Sequence, residues 1–306
     1  PSGTLLLDIA SDTAVDRWLY TVESGNETPQ QVWHSRRDSR IYTTFAAAWH
    51  PDGKQIVFLS DLGDRYGLYA IDATVAGGTA KLLTDPAYDV LGAPSMVAAA
   101  DAIVYAANGV SPYERHVYRV SANGGKPQRV TKRPGQHNAY PSPDGRHLAI
   151  LHSDDQTPTE LYVMQMDGDA LRRVTTSPPP QFSEREWARA KYVSFPSRID
   201  DYTIHARILE PASLEAGRKY PVIFGPMYSN TVRNRWPGFY GLVQQLLVKK
   251  GYIVVQVDMR GSTGYGRRFR EEFLMDFAGN DIEDIASAVS YIQTLPHVDP
   301  ERLGIW

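Results

Sequence analysis

The same short strand recurs four times before residue 165, and that recurrence restricts the first half of the chain to very few architectures. Leu19-Tyr20-Thr21-Val22, Leu68-Tyr69-Ala70-Ile71, Val117-Tyr118-Arg119-Val120 and Leu161-Tyr162-Val163-Met164 share one pattern, with the tyrosines separated by 49, 49 and 44 residues. Each leads into a turn: Ser24-Gly25-Asn26, Gly77-Gly78, Asn123-Gly124-Gly125 and Asp167-Gly168-Asp169. A second strand then closes each unit at Leu82-Leu83-Thr84, Arg129-Val130-Thr131 or Arg173-Val174-Thr175, and less cleanly at Gln31-Val32-Trp33 in the first. A repeat of about 40–50 residues built from short strands is the pattern of a β-propeller blade. The competing arrangement is a β-sandwich with coincidental spacing. The tyrosines share one strand context, so they are expected to pack in the blade core rather than touch a ligand. Most propellers have more than four blades, which predicts further blades before Pro1.

Two units carry a Pro-Asp-Gly turn ahead of an alternating strand: Pro51-Asp52-Gly53 before Ile56-Val57-Phe58, and Pro143-Asp144-Gly145 before Leu148-Ala149-Ile150. Asp-Gly supplies the positive φ angles expected of a tight strand-to-strand turn. The unit between keeps the strand Ile103-Val104-Tyr105 but lacks the turn.

From Arg198 the rhythm changes. Ser177-Pro178-Pro179-Pro180 and Glu184-Arg185-Glu186 form a linker by composition. Ile204 to Leu209 alternates as a strand, and Pro221 to Phe224 is a short buried one. Leu242, Val243, Leu246 and Leu247, closed by Gly251, predict an amphipathic helix. Tyr252 to Val257 is a β-branched run of the kind found in central parallel strands. Ile282, Ile285, Ala286, Val289 and Ile292 predict a second helix, before a final strand from Arg302 to Trp306. Strands alternating with helices predict a doubly wound α/β layer. The expected division is 1–190 for the blades and 191–306 for the α/β part.

The 306 residues suffice for two cores. A formal net charge of −3 argues against a nucleic-acid surface, and basic pairs such as Arg36-Arg37 and Lys249-Lys250 are expected on solvated faces. No cysteine is present, which removes disulfides, zinc-thiolate sites and a thiol nucleophile. That absence suits a periplasmic or a cytoplasmic protein equally. Apolar runs are strand-length, so no membrane span is expected. The eight histidines show no H-x-x-x-H or H-E-x-x-H spacing, and neither a metal nor a cofactor is called for.

A propeller feeding an α/β layer, together with four segments, resembles the prolyl oligopeptidase family of serine peptidases, in its dipeptidyl peptidase IV-like and acylaminoacyl-peptidase-like branches. The segments are Lys219-Tyr220-Pro221-Val222-Ile223 with Tyr228, Asp258-Met259-Arg260-Gly261-Ser262-Thr263-Gly264-Tyr265-Gly266, Asp281-Ile282-Glu283-Asp284, and Val298 to Trp306. In that family the last strand continues into G-x-S-x-G, a turn that presents the nucleophilic serine. No G-x-S-x-G occurs in residues 1–306. The resemblance therefore implies an α/β-hydrolase domain represented here by its N-terminal part, with the Ser/Asp/His triad beyond Trp306. It also implies that a tyrosine after the strand 221–224 donates its hydroxyl to the oxyanion hole. Tyr228 is the candidate, at a spacing one residue longer than usual, and a packing role beside Pro226 is the alternative.

Arg260, Gly261, Gly264, Tyr265 and Gly266 are expected in a glycine-rich turn at the carboxyl end of the 252–258 strand, on the rim of the cleft. The spacing matches neither dinucleotide nor phosphate loops, and Ser262 lacks the setting of a nucleophile. Asp258, Asp281 and Asp284 are expected to act as scaffolding, in part toward Arg260. His205 and His297 are expected to be packing or surface residues. The activity implied is hydrolysis of short peptides through an acyl-enzyme, with this chain alone hydrolysing nothing. A propeller-based binding module and an esterase of the same fold stay open. No Glu-Glu pair of the kind that captures substrate amino termini in dipeptidyl peptidases occurs in residues 1–190.

Overall fold

The structure is a computed structural model that describes residues 3–26, 28–37, 46–168, 170–226 and 229–306. Each repeat unit folds as an antiparallel meander. The first sheet comprises β1 (Thr4–Ala10), β2 (Asp16–Glu23) and β3 (Gln30–Arg36), and the second β4 (Ala46–Trp49), β5 (Gln55–Ser60), β6 (Gly67–Asp72) and β7 (Lys81–Leu82). The third comprises β8 (Ser95–Val97), β9 (Ala102–Ala107), β10 (His116–Ser121) and β11 (Gln128–Arg129), and the fourth β12 (Gln136–Pro141), β13 (His147–Asp154), β14 (Thr157–Gln165) and β15 (Arg172–Arg173). In every sheet, neighbours in sequence are neighbours in space.

Side chains alternate across each strand, so a strand in the middle of this stack serves two cores. Ile56 and Phe58 of β5 pack on Leu19, Val32 and Trp33 of the first sheet. Val57 and Leu59 of the same strand pack on Ile103 and Tyr105 of the third. Val104 and Val117 turn from the third sheet to Leu148 and Ile150 of the fourth. The recurrent tyrosines sit in these seams: Tyr69 stacks on Phe58 at 5.9 Å, Tyr118 on Tyr105 at 5.7 Å, and Tyr162 lies with Leu148 and Ile150. All three are buried, each contributing about 1.5–3 kcal/mol by the scale for large apolar side chains. Tyr20, the first of the series, is only half-buried and its hydroxyl donates to Gln31 Oε1 at 3.2 Å.

The Pro-Asp-Gly turns need only one left-handed residue, the glycine (φ 68° at Gly53 and 70° at Gly145). The aspartate instead works through its side chain: Asp52 Oδ1 accepts from the amides of Lys54 and Gln55 at 2.7 and 3.1 Å, and Asp144 Oδ1 from Arg146 at 3.0 Å. The third unit replaces this turn with a short 3₁₀ segment, Ala98–Ala100, closed by Asp101 in the left-handed region at φ 46°. Asp169, part of the fourth predicted turn, lies outside the described residues.

After the single turn α1 (Pro180–Ser183) come β16 (Ala190–Pro196), β17 (Thr203–Leu209), β18 (Tyr220–Phe224), α2 (Phe239–Lys249), β19 (Ile253–Asp258), α3 (Arg267–Glu271), α4 (Asn280–Gln293) and β20 (Val298–Ile305). They form a sheet of order β16-β17-β19-β18-β20. β18 runs parallel to β19 and β20, whereas β17 is antiparallel to β16 and β19. The parallel layer expected from sequence is thus confined to three strands. An unbroken apolar run reports burial on both faces, not strand direction. Helices do cover both faces: α4 places Ala288 and Ile292 on Ile204, Ala206, Val255 and Val257, while α2 places Val248 on Leu209 and Val254.

The Arg36-Arg37 pair does not lie wholly on a solvated face. Arg36 is exposed beside Asp16, but Arg37 is tucked against buried Asp61 at 2.9 Å. A carboxylate taken out of water needs a counter-charge, and Arg270 supplies a second one at 2.5 Å.

Candidate active-site cleft

Because β18, β19 and β20 are parallel, their carboxyl ends open at one edge of the sheet, the place where open α/β sheets bind ligands. Phe224 is level with Val255 and with Ile305, and the Trp306 amide donates to the Phe224 carbonyl at 2.9 Å. Two connections leave this edge. One is a strap, residues 225–238, between β18 and α2; the other is the glycine loop, 259–266, after β19.

Asp258, the last residue of β19, ties the two together. Its side chain is fully buried, and Oδ1 accepts from the amides of Thr231 and Val232 at 2.7 and 3.0 Å. Its Oδ2 accepts from the Tyr265 hydroxyl at 2.8 Å and pairs with the Arg233 guanidinium. Arg233 also donates to the Thr263 carbonyl at 2.7 Å. Burial opposes the charge on Arg233, but Asp258 and Tyr265 outweigh it and hold the guanidinium above its ordinary value. Burial, and then the negative Asp258, push the Tyr265 phenol well up, so it stays protonated, donating to Asp258 and accepting from Arg233 at 3.3 Å. Asn230 completes the knot: its Oδ1 accepts from the amide and hydroxyl of Thr263, both at 2.8 Å.

Arg260 anchors the loop from beneath. Its Nε and Nη2 meet Asp284 Oδ2 and Oδ1 at 2.9 and 2.8 Å, and Asp200 lies 2.9 Å from Nη2. Of the three acids singled out in the sequence, Asp284 holds Arg260 and Asp258 holds Arg233. Asp281 reaches neither, and accepts from the Ile282 amide at 3.0 Å. Ser262 is fully buried and accepts from the Asn230 amide at 3.3 Å.

The outer side of the loop docks on the second and third sheets. Gly261, Gly264 and Gly266 have φ of 96°, 91° and 94°. The Gly264 carbonyl accepts from Asn108 Nδ2 at 2.7 Å, and the Gly266 amide donates to Asp89 at 3.2 Å. A Cβ on Gly266 would collide with the Asp64 carboxylate, so the close approach requires glycine. Tyr265 stacks on His205 at 4.7 Å, and His205 Nδ1 contacts the Tyr113 hydroxyl at 2.8 Å. Burial lowers His205 and keeps its ring neutral, as suits a packing residue. His297 lies on Glu210 at 2.8 Å.

The strap is stitched to the third and fourth sheets. The Asn234 amide donates to the Tyr113 carbonyl at 2.9 Å, its Nδ2 to Glu114 at 3.1 Å, and the Trp236 amide to Ser153 Oγ at 3.0 Å. Tyr228, the oxyanion candidate, and Met227 lie outside the described residues. Pro226 and Ser229, on either side, border a pocket of about 750 Å³ at the sheet edge. Asn230, Arg233 and Asn234 were not singled out in the sequence. Their one signal was the length of polar chain between a strand and a helix, longer than a plain connection requires. Among the described residues no three His, Asp or Glu side chains gather as a metal site would require, and no helix is long and apolar enough to cross a membrane.

Known proteins share this arrangement. Residues 237–306 match the family model of the prolyl oligopeptidase family, and residues 7–159 match that of the dipeptidyl peptidase IV N-terminal region. An uncharacterized peptidase, YuxL, of Bacillus subtilis is 31% identical over 176 residues, covering 54% of this chain and 24% of the relative. Dipeptidyl-peptidase 5 of Porphyromonas gingivalis is 25% identical over 319 residues, covering 95% of this chain and 42% of its own. The crystal structure of Porphyromonas gingivalis dipeptidyl peptidase 4 superposes with a TM-score of 0.83 at 21% identity, covering 99% of this chain and 43% of that one. This chain thus spans less than half the length of these relatives. With the first three meanders and most of the fourth under one family match, and the glycine loop, β19 and β20 under the other, the chain belongs to the prolyl oligopeptidase family of peptidases.

Proposed function

We propose that this protein is a serine peptidase that cleaves short peptides through an acyl-enzyme, with its nucleophile on a turn that follows β20. The observation that carries this is the convergence of the β18, β19 and β20 carboxyl ends on one edge facing the third and fourth sheets. In this proposal the meanders, residues 1–190, are propeller blades that roof the cleft, and residues 191–306 are the first part of an α/β-hydrolase domain. The Asp258 knot fixes the strap, and Tyr228 gives its hydroxyl to the developing oxyanion. Peptide substrates are favoured over esters by the names of the relatives, two of which are dipeptidyl peptidases.

The test is labelling with a fluorophosphonate probe. The 306-residue chain, which contains no G-x-S-x-G, is expected to remain unlabelled and to hydrolyse no peptide. A version extended past Trp306 into that turn is expected to label once per chain, at its serine. Stoichiometric active-site-directed labelling of the 306-residue chain would overturn the placement of the nucleophile.

A further inference from the structure

A second cavity, of about 290 Å³, lies where the strap meets the third and fourth sheets. Three guanidiniums line it, Arg115 from the third sheet and Arg233 and Arg235 from the strap, and no carboxylate does so among the described residues. Arg233 is already neutralised by Asp258. Arg115 and Arg235 are not. Arg115 donates from Nη1 to the Asn138 amide oxygen at 2.9 Å, while its Nε is buried without a hydrogen-bond partner. The Arg235 side chain stands exposed at the mouth and has neither a hydrogen-bond nor an ion-pair partner among the described residues.

Such an arrangement is costly unless something negative enters. Burial and the neighbouring Arg233 and Arg235 all press against the charge on Arg115. A guanidinium holds a planar two-oxygen anion best, because its N–H groups form a fixed fork. The volume suits one side chain or chain end rather than a whole cofactor. Trp236 and Leu151 add apolar wall. Asn230, Arg233, Arg235 and Trp236 border this cavity and also the strand-edge pocket, so a peptide lying in one extends into the other.

We propose that Arg115 and Arg235 form a subsite for a carboxylate of the bound peptide, which would give the protein a preference for acidic or carboxyl-terminal substrates. The choice of a peptide carboxylate rests on the peptidase proposal; the anion site itself does not. Titration calorimetry on the 306-residue chain tests it without requiring turnover. One arm compares Ala-Ala-Ala with its carboxyl-terminal amide, and the other compares Ala-Glu-Ala-amide with Ala-Gln-Ala-amide. In at least one arm the carboxylate peptide should bind about tenfold more tightly, the least expected of a charged hydrogen bond. The arm that discriminates identifies the source of the carboxylate. Arg115→Gln and Arg235→Gln should each remove most of that difference and leave the amide peptides unaffected. Arg235→Gln lies at the exposed mouth, so it tests the idea without threatening the fold. Equal binding within both pairs, or discrimination that survives both substitutions, would overturn the proposal. Carboxylate preference in the 306-residue chain, with no fluorophosphonate labelling of the version extended past Trp306, would sustain the subsite and reject the peptidase.

Discussion

Replacing Asp258 with Asn should loosen the strap before it loosens anything else. The carboxylate accepts two strap amides and a phenol, and it neutralises Arg233, whose side chain is only 14% exposed. The amide keeps one oxygen for Thr231 and Val232 but turns an NH₂ group toward Arg233 and removes the charge. Breaking a buried pair from one side costs about 3–5 kcal/mol. The retained oxygen offsets part of this, leaving about 3 kcal/mol. That corresponds to roughly a hundredfold rise in the opening equilibrium of the segment. Hydrogen exchange at the Thr231 and Val232 amides reads it directly, because both donate to Asp258 and exchange only when the strap lifts. Amides of the first sheet, β1 to β3, away from the strap, serve as the control and should be unchanged. Arg233→Met in the same background should recover part of the loss by removing the unpaired cation. If Thr231 and Val232 exchange less than about fivefold faster in Asp258→Asn, roughly 1 kcal/mol, the charge at position 258 does not hold the strap.

Gly266→Ala should separate the glycine loop from the second sheet, since both its φ and the Asp64 carboxylate oppose a Cβ; a loss of about 2 kcal/mol or more in urea denaturation is expected, and an unchanged midpoint would refute the close approach. Stability should fall as acid is added below about pH 6.5. His137 stacks between His116 and His152, and burial, with His152 adding to it, lowers its ring to about 3. Between those values the unfolded chain takes up a proton that the folded chain refuses, so each unit of falling pH removes up to about 1.4 kcal/mol, and nothing is lost above that range. His152 is lowered by burial as well and acts in the same direction. His137→Phe should flatten the slope of melting temperature against pH between 6 and 4; an unaltered slope would mean that the ring titrates normally.

The repeats and the α/β strands could be read from the sequence because each is written locally. Tyr69, Tyr118 and Tyr162 recur at near-constant spacing because each fills the same seam between sheets. The mixed direction of the later sheet was not legible, since Ile253 to Val257 would be as apolar in either orientation. The cleft was only half legible. Its glycines stand together between 261 and 266, but their partners Asn108, Asp89 and Asp64 come from sheets more than 150 residues earlier. Arg115 and Arg235 look like ordinary surface cations until folding brings them to one cavity without an acid. No periodicity records such a meeting, because the residues share no element.

The two-faced strand β5 has a consequence for how these sheets keep their alignment. A slip of one position would exchange Ile56 and Phe58 for Val57 and Leu59, apolar for apolar, so burial alone scarcely penalises it. The counting must be done at the turn, where the Asp52 carboxylate and the left-handed Gly53 admit one number of residues. The third unit has discarded the Pro-Asp-Gly letters yet kept a left-handed residue, Asp101, in the same connection, one position nearer its strand. In this chain the strands tolerate drift in their wording, while the punctuation between them sets where each line begins.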